Sequence, residues 1–294
     1  MQRVDMATAV GEAADDGQCV FLPGFTHLTA TAAAHELIRQ GPTDLTVGRI
    51  SPDLVFDQLI AAGCVSTAIF SFAGRGLRRE LEREESGLEI EEYTHYSLAA
   101  RVAAGARNLP FMPVRTFTGS DLPAHTAGIK TVESPYDGEE IYVVPPLQPD
   151  LTIAHVPRAD ENGNAQVWGS IGEVRDAIFA ASTVVLSAEE VVEEDIIRSD
   201  PNRTIAAGSA VDYLVEEPWG AHPSYVQGHY DRDLDHYASW RTAVDEGRTD
   251  DWLEEWVYGV ADRREYLDKL DATRLVELEP DTNYATPIDM GEYR

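Results

Sequence analysis

The sequence predicts an α/β fold: an open, mostly parallel sheet with helices on both faces, followed by a polar helical C-terminal region. Strand-like and helix-like segments alternate through the first two hundred residues, and the early connections are long enough for crossovers between parallel strands. The strand segments are continuous apolar runs, which is typical of strands that helices cover on both faces. With 294 residues and 43% hydrophobic content, the chain is long enough to bury one large core.

The first elements have clear start and stop signals. Pro23-Gly24 ends the first long strand, and Gly41-Pro42 follows the second helix. Ser51 suits the N-cap of the third helix. The segments predicted in this part are helix 4–16, strand 19–22, helix 29–39, strand 45–50, helix 51–63, strand 65–72 and helix 77–85.

The rest of the chain is less regular. Residues 111–149 are rich in proline, glycine, threonine and serine, which predicts extended segments and long loops, and residues 271–294 are predicted to be irregular. We interpret residues 1–230 as one α/β domain and residues 231–294 as a helical extension packed on it. The elements predicted here are helix 96–107, strands 141–144 and 151–156, helix 173–181, strands 183–187 and 204–207, and a polar helix over 231–270.

The charge balance excludes several classes of protein. The chain has 52 acidic residues against 23 basic ones, for a formal net charge of −29. Such a surface repels nucleic acid and anionic membranes, and acid spread along the whole chain indicates adaptation to high salt. The N-terminus lacks the apolar core of a signal peptide, and no apolar run is long enough to span a bilayer. We therefore expect a cytoplasmic, halophilic protein.

Cysteine and histidine usage gives no sign of a metal or a bound cofactor. The two cysteines, Cys19 and Cys64, lie far apart in apolar contexts, which predicts two buried thiols. The histidines are not spaced as metal ligands, and the chain has neither a P-loop, a nucleophile elbow nor a well-placed dinucleotide fingerprint. We expect no metal and no permanently bound cofactor.

The ends of the predicted strands carry the first candidate site, since ligands of open α/β sheets bind there. In the segment from Pro23 to His27, Gly24 lets the backbone approach a ligand and present N–H groups to a developing oxyanion, although an ordinary turn has the same pattern. Gly74 follows another predicted strand.

Two further segments combine polar side chains. In Glu91-Glu92-Tyr93-Thr94-His95, a carboxylate beside a histidine suits acid–base chemistry, but carboxylate pairs are common in so acidic a chain. Gly119-Ser120-Asp121-Leu122, in a proline-bounded loop, suits either a substrate site or a plain turn.

The order of these segments resembles the A (α) subunit of family I CoA-transferases, most closely the glutaconate CoA-transferase type. The resemblance covers about residues 1–245. The stretches that carry it are residues 20–25 (VFLPGF), 37–46 (LIRQGPTDLT), 91–96 (EEYTHY), 109–113 (LPFMP), 119–122 (GSDL), 159–164 (ADENGN) and 217–223 (EPWGAHP).

The resemblance implies the CoA-transferase fold and an assembly with a B-type subunit. That partner would carry the glutamate that forms a glutamyl-CoA intermediate, with coenzyme A entering as part of the substrate. Gly24 and Phe25 would form the loop at the thioester carbonyl, and the substrate-binding residues would be Thr26, Gly74, Ser120 and Asp121. The family loop commonly begins with two glycines. Here Pro23 replaces the first of them and removes one N–H donor.

Two alternative functions remain open from the sequence. A related branch of the family opens steroid-derived rings by hydrolysis of CoA thioesters, with a glutamate on its A-type chain. In that reading Glu92 or His95 would be the acid or base. The second alternative is a non-catalytic sensor of an acyl-CoA or a sugar phosphate.

Overall fold

A computed structural model describes residues 1–81 and 87–280 of the chain. The strands of its main sheet are β1 (Gln2–Arg3), β2 (Cys19–Phe21), β3 (Leu45–Arg49), β4 (Val65–Phe70), β5 (Glu89–Glu92), β9 (Leu151–Asp160), β10 (Ala165–Gln166), β11 (Thr183–Val192), β12 (Thr204–Ala206) and β13 (Tyr213–Glu216). A small second sheet contains β6 (Met112–Val114), β7 (Lys130–Glu133) and β8 (Glu140–Val144).

The main sheet is open and mostly parallel, as the sequence predicts. Its strand order is β1-β13-β11-β9-β2-β3-β4-β5, and each neighbouring pair in this series is parallel. Within the main sheet, and among the described residues, only the short β10 pairs antiparallel, with β9 and β12. The second sheet has the antiparallel order β6-β8-β7 and lies in the region predicted as loops with one strand.

Helices cover both faces of the sheet. The α-helices are α1 (Met6–Ala13), α2 (Thr31–Gln40), α3 (Leu54–Ala61), α4 (Arg75–Leu81), α5 (His95–Ala106), α6 (Leu122–His125), α7 (Val174–Ala180), α8 (Glu194–Ser199), α9 (Leu234–Glu246), α10 (Thr249–Leu253), α11 (Arg263–Lys269) and α12 (Ala272–Leu278). In β2, Val20 packs with α1, α2 and α3, whereas the next residue, Phe21, packs with α5 and α7. Residues 82–85 of the predicted helix 77–85 lie outside the described residues.

The C-terminal region differs from its prediction in detail. The helix expected over 231–270 is divided, because Gly247 adopts a left-handed conformation (φ 70°) after α9 and Gly259 ends the turn that follows α10. Part of the segment predicted as irregular forms α12, whose N-terminus Asp271 caps. Residues 281–294 of the predicted extension lie outside the described residues.

The described part of this region packs on the sheet side that carries α2 and α3. Trp240, Val244 and Trp252 share one buried cluster with residues of the sheet and of α1 to α4. At the start of α9, Asp233 accepts hydrogen bonds from His222 Nε2 (3.1 Å) and from Arg274 (2.6 Å). The polar helices are thereby tied to the loop that follows β13.

Candidate active site

The carboxyl ends of β2, β3, β4 and β5 lie at one edge of the sheet, because neighbouring strands are parallel. The loop after β2 contains Gly24, Phe25 and Thr26, and the loop after β4 contains Gly74. Six of the eight site residues predicted from the sequence, these four with Glu92 and His95, therefore lie along this edge.

The loop after β2, residues 23–28, is a tight turn that requires glycine at one position. Gly24 has φ 108°, and a Cβ atom there would lie 2.7 Å from the carbonyl oxygen of His27 and 2.9 Å from that of Leu28. Both values are too short for a real contact, so a side chain would force the loop open. The ring of Phe25, next in the chain, is 41% exposed at the rim of the edge.

A buried arginine that the sequence analysis missed holds this loop. Arg49, the last residue of β3, is 0% exposed. Its Nη1 donates to the carbonyl oxygens of Leu22 (2.8 Å) and Pro23 (3.2 Å), and its Nη2 pairs with Asp53 Oδ2 at 3.1 Å. Because a trans peptide directs its C=O and N–H to opposite sides, the Pro23 carbonyl on Arg49 turns the N–H of Gly24 away from the guanidinium.

The other end of the loop is fixed from the chain beyond β13. The carbonyl oxygen of Thr26 accepts hydrogen bonds from Ser224 Oγ (2.9 Å) and from Arg232 (3.1 Å). His27 is fully buried between the carbonyl oxygen of Ser170 (3.0 Å from Nδ1) and the N–H of Gln227 (3.1 Å from Nε2). Burial lowers the pKa of His27 to about 4, so a neutral ring supports the loop.

Glu92 and His95 flank the junction of β5 and α5. The His95 ring is in edge-to-face contact with the Phe25 ring, with centroids 5.9 Å apart, so the structure brings this predicted segment to the Gly24 loop. Thr94 between them caps α5 by accepting the N–H of Ser97. The carbonyl oxygen of Glu92 accepts a hydrogen bond from Thr126 (2.8 Å).

The remaining predicted residues have local partners. Gly74 lies against Asp57, whose carboxylate accepts the N–H groups of Gly76 (2.9 Å) and Leu77 (3.0 Å) at the start of α4. Ser120 and Asp121 are exposed at the turn before α6. Within the described residues, no hydrogen bond or ion pair joins them to the Gly24 loop; Ser120 Oγ accepts the N–H of Leu122 instead.

A second residue that the sequence analysis missed is Glu173, directly before α7. It is an isolated acid after a glycine-containing turn, a weak signal in so acidic a chain. Its carboxyl group is buried, and the N–H of Gly24 is one of the groups that interact with it. Burial raises the pKa of Glu173. Hydrogen bonds from its own backbone N–H and from that of Gly24, and the charge of Arg49, act in the opposite direction.

The described residues contain neither a metal site nor a membrane-spanning helix. Across residues 1–81 and 87–280, no group of three or more histidine, cysteine or acidic side chains is arranged to hold a metal ion. In the same ranges, no helix has the length and apolar character needed to cross a membrane. Cys64 is buried as expected, whereas Cys19 at the start of β2 is only half-buried.

The fold and the site are those of an open parallel α/β protein with a glycine-containing loop at the ligand-binding edge of its sheet. The profile of the Coenzyme A transferase family matches residues 3–217, most of the chain. The chain belongs to the coenzyme A transferase family, which confirms the resemblance stated from the sequence.

The chain is similar along most of its length to A subunits of known CoA-transferases. The chain is 38% identical to the A subunit of the 3-oxoadipate CoA-transferase of Pseudomonas knackmussii, over 89% of this chain and 95% of the relative. It is 32% identical to the A subunit of the glutaconate CoA-transferase of Acidaminococcus fermentans, over 96% of each chain. The crystal structure of glutaconate CoA-transferase from that organism matches with a TM-score of 0.91 at 29% identity, covering 99% of this chain and 100% of that one.

A relative of a different activity also matches. The chain is 32% identical to the IpdA component of the cholesterol ring-cleaving hydrolase of Mycobacterium tuberculosis, over 70% of this chain and 77% of the relative.

Proposed function

We propose that this chain is the A subunit of a heteromeric CoA-transferase that moves CoA from an acyl-CoA donor to a carboxylic acid. The proposal rests on family membership and on relatives named as CoA-transferase A subunits along nearly their whole length. The observation that carries it is the Gly24 loop, a tight turn at the ligand edge of the sheet that leaves no room for a side chain at Gly24.

The reaction divides one difficult exchange into easier steps. A glutamate of the B-type partner attacks the thioester carbonyl, which gives a mixed anhydride and releases CoA thiolate. The thiolate attacks the glutamyl carbonyl, which releases the donor acid and leaves a glutamyl-CoA thioester. The acceptor carboxylate then takes CoA by the same two steps in reverse, and the glutamate is regenerated.

Each attack places negative charge on a carbonyl oxygen. The N–H groups of Gly24 and Phe25 stabilise that charge, because a rigid loop needs no reorganisation as the oxyanion forms. Arg49 fixes the loop through two carbonyl oxygens and so acts as a positioning residue. Thr26, Gly74, Ser120 and Asp121 bind the substrate in this proposal.

The partner subunit covers the ligand edge. Phe25, Phe72 and Tyr96 belong to three different strand-end segments of this edge, and they are 41%, 50% and 63% exposed. Aromatic side chains of this kind are enriched in protein interfaces. In this proposal the protein is cytoplasmic, residues 1–230 form the catalytic domain, and residues 231–294 are an extension of that domain.

The first experiment compares two glycine variants in the assembled A–B complex. Gly24→Val should lower the kcat of CoA transfer by at least about 10²-fold, the effect of losing an oxyanion donor. Gly63→Val is the matched control, since Gly63 also has a positive φ (75°) but has no heavy atom within 4 Å of a Cβ. Equal activity of the two variants would contradict the role of the loop.

A ring-opening hydrolase is the second candidate, and the contact between Phe25 and His95 favours it, because it places His95 and the nearby Glu92 at the same edge. The assay omits the acceptor acid and follows loss of the CoA ester. A hydrolase should act without an acceptor and lose most of its rate in Glu92→Ala or His95→Ala. A transferase should require the acceptor and keep most of its rate in both variants.

A further inference from the structure

Glu173 lies where the turn before α7 meets the Gly24 loop. The residue is 6% exposed, and its Oε1 is buried without a hydrogen-bond partner. A Cβ atom on the preceding Gly172 would lie 3.9 Å from Cβ of Phe25, so the two turns are in contact. A buried carboxyl oxygen without a partner is uncommon in folded proteins, and a ligand atom at the Gly24 loop is one group that would satisfy it.

The surroundings of Glu173 favour its neutral form. Arg49 is the cation that acts on it, but Asp53 already pairs with that guanidinium at 3.1 Å. His27, within the Gly24 loop, is neutral, and Asp176 on α7 pairs with Arg107 at 3.2 Å. The charged or titratable side chains of the adjoining segments are Arg49, Asp53, His27, His95, Arg175 and Asp176.

We propose that Glu173 is a further hydrogen-bond donor of the thioester site: as a neutral acid, it donates its O–H to the carbonyl oxygen of the acyl group. This O–H replaces the N–H that Pro23 lacks. A carboxylic acid kept neutral by an apolar site is an effective oxyanion donor. When ionised, Glu173 has no proton to donate, and its charge repels the oxyanion. The inference rests on the proposed CoA-transferase function.

The proposal gives a pH dependence of definite sign. Because burial raises the pKa of Glu173, the neutral donor persists above the usual pH of carboxyl ionisation and is lost as the pH rises further. The kcat of CoA transfer therefore falls at high pH as one group ionises, which gives a slope of −1 in a plot of log kcat against pH. In Glu173→Gln an amide N–H remains as a weaker donor that does not titrate, so kcat is lower but this fall disappears.

Glu173→Ala removes the donor altogether. Its kcat should fall by about 10²-fold, while KM for the acyl-CoA changes less than about threefold, because the donor acts mainly on the transition state. Asp176→Asn is the matched control, since Asp176 lies in the first turn of α7, next to Glu173, and its carboxylate pairs with Arg107. It should keep the wild-type kcat and pH profile.

The experiment measures kcat and KM of the A–B complex from about pH 5 to about pH 9 for these variants. An infrared difference spectrum of wild type minus Glu173→Gln, recorded below the pH at which kcat falls, should show the band of a protonated carboxyl group. A Glu173→Gln complex that keeps the wild-type fall in kcat, or a missing band, overturns the inference. If Glu173→Ala does not fold, the Glu173→Gln profile decides. A wild-type complex that transfers no CoA contradicts the proposed function itself, whereas active complexes with unchanged profiles contradict only the role of Glu173.

Discussion

At the scale of single residues, Arg49 fixes the backbone conformation of the Gly24 loop. Its planar guanidinium contacts the carbonyl oxygens of Leu22 and Pro23 and the carboxylate of Asp53, with no exposure to solvent. Lysine has one compact charge and lacks the planar fork, so it would leave at least one of these acceptors without a partner. A buried acceptor without its donor costs about 1–3 kcal/mol.

We therefore expect Arg49→Lys to lower the free energy of unfolding by about 2–4 kcal/mol, since both a buried ion pair and a backbone hydrogen bond are weakened. The kcat of the complex should fall at least about tenfold, because the loop loses its fixed geometry. Urea unfolding and the transfer assay measure the two effects. Arg107→Lys, at a partly exposed pair with Asp176, is the control and should change stability by less than about 1 kcal/mol. Equal stability of the two variants would contradict the structural role of Arg49.

The sequence predicts Gly24 but neither Arg49 nor Glu173, for a physical reason. A glycine between a strand and a helix is a local signal, because its backbone conformation depends on its immediate neighbours. Arg49 and Glu173 act on a loop that is distant in the sequence, and only the packing of β2, β3 and α7 brings them to it. Charge alone did not mark them, since 26% of the chain is charged.

At the scale of elements, the short parallel strands β1, β5 and β13 have no predicted counterpart, but β2, β3, β4, β9 and β11 were predicted because their apolar runs are local and continuous. The ends of β9 and β11 were not, since these strands continue into polar residues that pair with each other, such as Arg158 with Glu190. The C-terminal helices were predicted as one helix because polar composition does not indicate where a helix ends. The positive φ of Gly247, which ends α9, is seen only in the structure.

The attachment of those helices depends on Asp233. Its side chain caps α9 by accepting the N–H of His236, and it also accepts hydrogen bonds from His222 and Arg274. Burial would raise the pKa of Asp233, but the hydrogen bonds from His222 and Arg274 outweigh it and hold this pKa below its ordinary value. His222 is neutral near pH 7, because burial lowers its pKa to about 4.

A carboxyl group whose pKa is lowered by folding stabilises the protein above its unfolded pKa. That contribution is lost as the pH falls, beginning near the ordinary value of 3.8 for Asp233. We expect Asp233→Asn to lower the free energy of unfolding by about 2–4 kcal/mol at pH 7. The difference between the variant and the wild type should shrink towards acid pH. Urea unfolding between about pH 3 and about pH 7 measures this. A constant difference across that range would contradict the ion-pair account.

At the scale of the whole molecule, the net charge of −29 sets the response to salt. Exposed ion pairs such as Arg3 with Glu216 are weakened by salt, but each contributes only about 0–1 kcal/mol. The mutual repulsion of the excess carboxylates acts over the entire surface, and at about 1 M salt the screening length shrinks to about 3 Å. Relief of repulsion therefore outweighs the loss of pairs. The melting temperature should rise steadily from low to molar KCl.

The control for this salt series is sucrose at matched osmolality, which stabilises by exclusion from the surface and screens no charge. We expect KCl to give the larger increase in melting temperature, with most of it at concentrations where the screening length falls below about 10 Å. If the partner subunit is also acidic, the same screening should favour its docking. The A–B complex should then dissociate on dilution into low salt. A melting temperature that falls with KCl, or an equal response to sucrose, would show that surface repulsion does not govern the stability of this chain.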